Sequence, residues 1–135
     1  MTHARFLEYD KALECMEAAK EEKPENLNIL RDLYLLYTKT GAIKEAVDIA
    51  AEIFVLRKAK YKDEPNHTEV ATSNNNLGIA YMHKGEYDQA ITYYEQALKI
   101  YAIAYARNHH AIAMNYNSLG ATYCAKGHYE QAIEN

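Results

Sequence analysis

The sequence predicts an all-α fold, a right-handed superhelical solenoid of antiparallel helix pairs with about seven helices. Three observations predict it. The chain repeats itself: the run from Asn66 to Ala71 returns 42 residues later as Asn108 to Ala113, Leu77-Gly78 as Leu119-Gly120, and Lys84-Gly85 as Lys126-Gly127. Of the 28 aligned positions from Asn66 to Tyr93, 13 are identical. Apolar residues recur at three- and four-residue intervals, the period of an amphipathic helix. With only two prolines and five glycines in 135 residues, such helices are interrupted only briefly. Self-similarity at a period of this size marks stacked units, each of which needs its neighbours to bury its apolar face.

Taken in order, the helices are expected at about 3–22, 25–40, 42–62, 67–84, 86–107, 109–126 and 128–135. In the first, Tyr9, Ala12, Met16 and Ala19 form one stripe, and Pro24 suits the first turn of the helix that follows, where a missing N–H does no harm. In the second and third, Leu33, Tyr37, Gly41, Ile43, Ala46 and Ala50 align with Leu77, Tyr81, Gly85, Tyr87, Ala90 and Tyr94 at an offset of 44. Tyr34 stands where the later repeats have glycine, so packing there must differ. The fourth helix carries Val70, Ala71, Leu77, Ala80 and Tyr81 and stops at Gly85, which takes the left-handed conformation just past a helix end at little cost. The fifth carries Tyr87, Ala90, Ile91, Tyr94, Ala97, Leu98 and Tyr101, a stripe that must pack against its neighbours. Gly78 and Gly120 sit mid-helix, where glycine costs up to about 1 kcal/mol relative to alanine. A cost repeated at equivalent positions points to close approach by another helix. The sixth and seventh helices repeat the fourth and the start of the fifth, with a break at Gly127.

Leu77-Gly78, Tyr81, Gly85, Tyr87, Ala90, Tyr94, Ala97 and Leu98 form a pattern that resembles the tetratricopeptide repeat, and six of these positions recur in the next unit. The 42-residue period is similar to the long-helix subclass found in kinesin light chains and LGN-type adaptors, and the run from Ala71 to Gly78 adds to that likeness. The resemblance divides the chain into a second-helix half repeat (1–24), repeats at 25–65 and 66–107, and a partial repeat at 108–135. A chain that begins and ends in mid-repeat is expected to be a fragment of a longer array, with apolar ends open to self-association.

The resemblance also implies a concave groove lined by the first helix of each pair. Its positions are Asn28, Arg31, Leu35, Thr38 and Lys39 in the first full unit. They are Thr72, Asn75, Ile79, Met82 and His83 in the second, and Met114, Asn117, Ala121, Cys124 and Ala125 in the last. Asn75 and Asn117 occupy the same position in successive repeats, with Asn76 beside the first. An asparagine side chain offers an acceptor and two donors, so it can hold the backbone of an extended peptide. Ile79, Met82 and Leu35 are expected to form an apolar floor, and Arg31 and Lys39 a basic end. Asn74 is expected to face a neighbouring helix or solvent. A carboxylate clamp of the kind that binds chaperone C-termini is disfavoured. Arg31 and Asn76 suit it, but Leu35, Met114 and Ser118 stand where it needs an asparagine and two cations.

Other chemistry is poorly supported. The net charge of −4 and the absence of a basic stripe argue against nucleic acid. No apolar run approaches the ~20 residues that span a bilayer, and no signal-peptide pattern opens the chain, so cytoplasmic residence is the expectation. Cys15 and Cys124 are expected to be small buried or half-buried residues rather than a disulfide framework. His67 and His109 recur at matching positions, but no ligand set accompanies them, so each is expected to cap a helix or pack between repeats. There is no phosphate loop or nucleophile motif. The expectation is a protein-binding scaffold, neither an enzyme nor dependent on a cofactor or metal. Its ligand is a peptide or protein. The alternatives are an assembly segment that joins end to end and a peptide-sensing domain of a larger protein.

Overall fold

A computed structural model describes residues 3–105 and 109–134. The described residues form six helices and no strands: α1 (His3–Glu22), α2 (Leu27–Thr40), α3 (Ile43–Lys60), α4 (Thr68–Lys84), α5 (Tyr87–Ala104) and α6 (His110–Glu134). The chain divides into two compact units, Met1–Leu56 and Arg57–Asn135, with α3 continuous through the division.

In the N-terminal unit α1 packs on α2. The stripe of Tyr9, Ala12, Met16 and Ala19 is half-buried, and Leu30, Leu33 and Tyr34 of α2 are buried. Tyr37 donates its hydroxyl to Glu17 at 2.8 Å, and Lys20 pairs with Glu52 at 3.3 Å. The entry to α2 differs from expectation. Pro24 lies in the turn before the helix, and Asn26 is the N-cap, its side chain accepting from the Ile29 N–H at 3.1 Å. Asparagine meets one of the first-turn amides that have no partner inside the helix. Gly41 ends α2 at φ 80°. From α3, Ala46, Val47, Ile49, Ala50 and Ile53 are buried.

In the C-terminal unit α4 packs on α5 and α5 on α6, and α4 also touches α6. Gly85, at φ 90°, closes α4 and lets the chain turn at once into α5. Val70, Ala71, Leu77 and Ala80 of α4 and Ala90, Ile91, Tyr94 and Ala97 of α5 make the core between them. Lys126 of α6 lies 2.7 Å from the Asp88 carboxylate of α5, which raises the lysine pKa.

The helices expected at 109–126 and 128–135 are one helix. Gly127 carries the same Lys-Gly-x-Tyr motif as Gly85 but stays within α6 and does not take positive φ. Glycine permits the left-handed turn without imposing it. The turn at Gly85 is held by the long apolar stripe of α5 folding back on α4. The expected fifth-helix end at 107 and the repeat start at Asn108 lie outside the described residues.

Candidate functional site

On α4, Thr72, Asn75, Ile79, Met82 and His83 share a face through their three- and four-residue spacing. Ile79 and Met82 are half-buried and pack against the core cluster of Ala90, Ile91, Tyr94 and Leu119, leaving one side of each open. Thr72 is exposed and bonds the Tyr101 hydroxyl at 3.0 Å, either group donating. Burial raises the Tyr101 pKa, and the Thr72 contact partly offsets that. His83 is exposed at the end of the face.

Asn75 is half-buried, and its Oδ1 accepts from Nδ2 of Asn115 on α6 at 3.3 Å. The same Nδ2 also donates to the Tyr94 carbonyl of α5 at 3.0 Å. Asn115 is fully buried, so one amide ties three helices together. Asn117, two residues on, is exposed. The two asparagines from equivalent repeat positions are therefore not alike: Asn75 is tied to the core, and Asn117 stands in solvent. Asn76 is half-buried and engaged. Asn74 is buried against the neighbouring helix, its Oδ1 without a partner.

Arg31, Leu35 and Lys39 are all exposed on α2, in the N-terminal unit. Arg31 Nε lies 3.9 Å from Asp32, so part of its charge is already offset.

Asn115 is the residue that sequence reasoning missed. Its signal was available, because Ser73 stands 42 residues earlier and does the same work. Ser73 accepts from Arg57 of α3 at 2.9 Å and donates to the Glu69 carbonyl at 3.0 Å. A polar residue at this repeat position ties the first helix of a pair to the helix before it. Tyr94 is the other buried polar group in the region. Burial raises its pKa, and the nearby Thr122 and Ser118 hydroxyls counter this, yet neither reaches its hydroxyl with hydrogen-bond geometry.

The two repeated histidines have local roles. Nδ1 of His67 accepts from the Glu69 N–H at 3.1 Å, and Nδ1 of His109 from the Ala111 N–H at 3.0 Å. Each ring also stacks on a tyrosine, His67 on Tyr61 at 3.7 Å and His109 on Tyr105 at 3.6 Å between centroids. Among the described residues no group of three His, Cys, Asp or Glu side chains is placed to hold a metal ion, and no helix is long and apolar enough to cross a membrane. Cys15 and Cys124 correct the expectation of burial. Both are exposed, because each lies on a helix side turned away from the core.

The family model for the tetratricopeptide repeat matches residues 69–135, from the first turn of α4 onward. The chain is a tetratricopeptide-repeat protein. Tetratricopeptide repeat protein 19, mitochondrial, of Rattus norvegicus and that of Mus musculus are each 30% identical to it over 92 residues, 67% of this chain. The chain spans 24% of the length of these curated relatives. Among solved structures, it resembles the nearly identical TPR-like repeats of a putative kinesin light chain from Podosopora anserina, with a TM-score of 0.73 and 25% identity over 93% of this chain and 62% of that one. The Leu77-Gly78 and Gly85-x-Tyr87 signature thus sits in a tetratricopeptide helix pair, and the α4 face lies at that repeat's groove positions.

Proposed function

We propose that this tetratricopeptide domain captures an extended or short helical peptide on the faces of α4 and α6. The fold is that of protein–protein interaction scaffolds in general. Peptide capture is the finer reading. The observation that carries it is one helix face that sets Asn75 beside the half-buried Ile79 and Met82, with the exposed Asn117 one repeat further on.

The physical division of labour follows from the contacts. Asn115 occupies Oδ1 of Asn75, so Asn75 offers its Nδ2 as a donor to a peptide carbonyl. Asn117 is exposed and offers both donor and acceptor. Together they hold a peptide backbone with little demand on its sequence. Ile79 and Met82 give ligand side chains an apolar surface, and methionine adapts to varied shapes. His83 adds a polar contact at the end of the face. On the N-terminal unit, Leu35 with Arg31 and Lys39 suits an apolar segment that carries acidic residues, Lys39 supplying more of the charge because Asp32 lies beside Arg31. Ordering a flexible peptide keeps the affinity near about micromolar.

The test is selection from a displayed peptide library on the wild type and on the Asn75→Asp/Asn117→Ala variant. Aspartate keeps an oxygen for Asn115 and removes only the donor. The wild type is expected to enrich a consensus that the variant loses while both give the same helical circular dichroism. Enrichment by neither, or equally by both, contradicts the reading.

A further inference from the structure

The α4–α5 pair contains a template for a surface that α6 leaves bare. On α4 a Cβ at Gly78 would lie 2.8 Å from the Tyr94 ring and 3.1 Å from the Ala90 carbonyl, because α5 rests directly on the glycine. At the equivalent Gly120 of α6, nothing lies within 4 Å. The neighbours differ in the same sense. Asn74 is 3% exposed and Tyr81 half-buried, whereas their counterparts Tyr116 and Tyr123 are 57% and 52% exposed. Since α6 runs straight through Gly127, no helix of the described chain folds back over this side.

The bare face has its own pattern. Ala113, Tyr116, Gly120, Tyr123 and Gly127 follow one another at intervals of three, four, three and four residues. That is the spacing of a helix–helix seam. Small and aromatic residues alternate along it, so the face carries both the hollow and the ring that fills it. An antiparallel pairing that sets Tyr116 opposite Gly120 of a second copy also sets Tyr123 opposite Ala113 of that copy. Twofold symmetry repeats both contacts, as a self-complementary interface requires. We propose that the chain forms a symmetric dimer in which α6 of two copies pack antiparallel through Gly120, with Tyr116 of each seated in the hollow of the other. The contact reproduces between molecules the ring-on-glycine packing that Tyr94 makes on Gly78 within one. With 25 residues, α6 is ~37 Å long, enough to support a seam of this extent. The seam runs along a different side of α6 from Leu119, Asn115 and Thr122, which face the core.

Sedimentation velocity from low micromolar to several hundred micromolar tests this, on the wild type, Gly120→Leu and Tyr116→Ser. The space over Gly120 is open in the single chain, so leucine there leaves the fold intact and fills the hollow. The wild type is expected to pass from monomer to dimer as concentration rises. Gly120→Leu is expected to raise the dimer Kd at least tenfold while keeping an equal or higher melting temperature, and Tyr116→Ser to raise it as well. A wild type that stays monomeric throughout overturns the proposal, leaving the face to a different partner or to a chain that turns back at Gly127. A dimer that Gly120→Leu leaves unchanged also overturns it.

Discussion

The Tyr94 ring lies flat against the place where Gly78 has no side chain, so that an added Cβ would stand 2.8 Å from Cδ1 and Cε1. Tyr94 is fully buried and has nowhere to swing. This contact explains why a helix-weakening residue recurs mid-helix. It also predicts opposite outcomes for one substitution at two equivalent glycines. Gly78→Ala gains helix propensity but forces the buried ring to move, and is expected to lose about 1–3 kcal/mol. Gly120→Ala meets open space and is expected to gain about 0.5–1 kcal/mol. Urea unfolding of the two variants measures both.

Asn115 joins α6 to α5 and α4 through a single buried amide. Asn115→Ala is expected to cost about 1–3 kcal/mol, from two lost hydrogen bonds and a small void. Asn115→Asp is expected to cost more, about 3–5 kcal/mol at neutral pH, because it turns an oxygen toward the Tyr94 carbonyl and the Asn75 oxygen and buries a charge. Burial raises the carboxyl pKa in the folded state, so this variant recovers stability as pH falls. Chemical denaturation at two pH values separates the substitutions.

The His67 cap gives a third prediction. Its Nδ1 accepts from the Glu69 N–H while its ring stacks on Tyr61. His67→Ala is expected to cost about 1 kcal/mol. His67→Asn is expected to recover part of that, since asparagine caps but does not stack. Thermal melts of both variants decide it.

Alkaline titration tests the N-terminal unit. Burial, the hydrogen bond to Glu17, and the charges of Glu17 and Glu45 together raise the Tyr37 pKa from 10.0 to about 12. A raised pKa means that the folded state favours the neutral phenol. The resulting stability is fully present below pH 10.0 and is lost as pH rises toward about 12. Denaturation followed across that range is expected to show a steeper loss for the wild type than for Tyr37→Phe, which has no proton to release.

Much of the fold was legible because local and repeat-level signals agreed. Gly41 and Gly85 stop their helices at positive φ, and the stripes read on α4 and α5 are the buried ones. Tyr34 in place of glycine was legible as a local change of packing. At the 44-residue offset, Tyr34 aligns with Gly78 and Ala50 with Tyr94. The large and small residues are exchanged, and both Tyr34 and Ala50 are buried. Gly127 was misleading because a turn motif becomes a turn only when the segment after it packs back. The cysteines were placed by residue type, whereas their exposure depends on which side of the helix is covered. In the candidate site, Asn75 and Asn117 look interchangeable in sequence. Only the position of Asn115 separates them, and a buried polar residue on a core face leaves no apolar period to betray it.

The central claim is peptide capture through Asn75 and Asn117, and side-chain amide NMR tests it most directly. A peptide from the library selection is titrated into labelled protein while the asparagine NH2 signals are followed. The account predicts that the Asn75 and Asn117 signals shift together, with the same midpoint, and that Ile79 and Met82 methyl signals move with them. Binding that leaves both asparagine signals in place while other residues shift contradicts it.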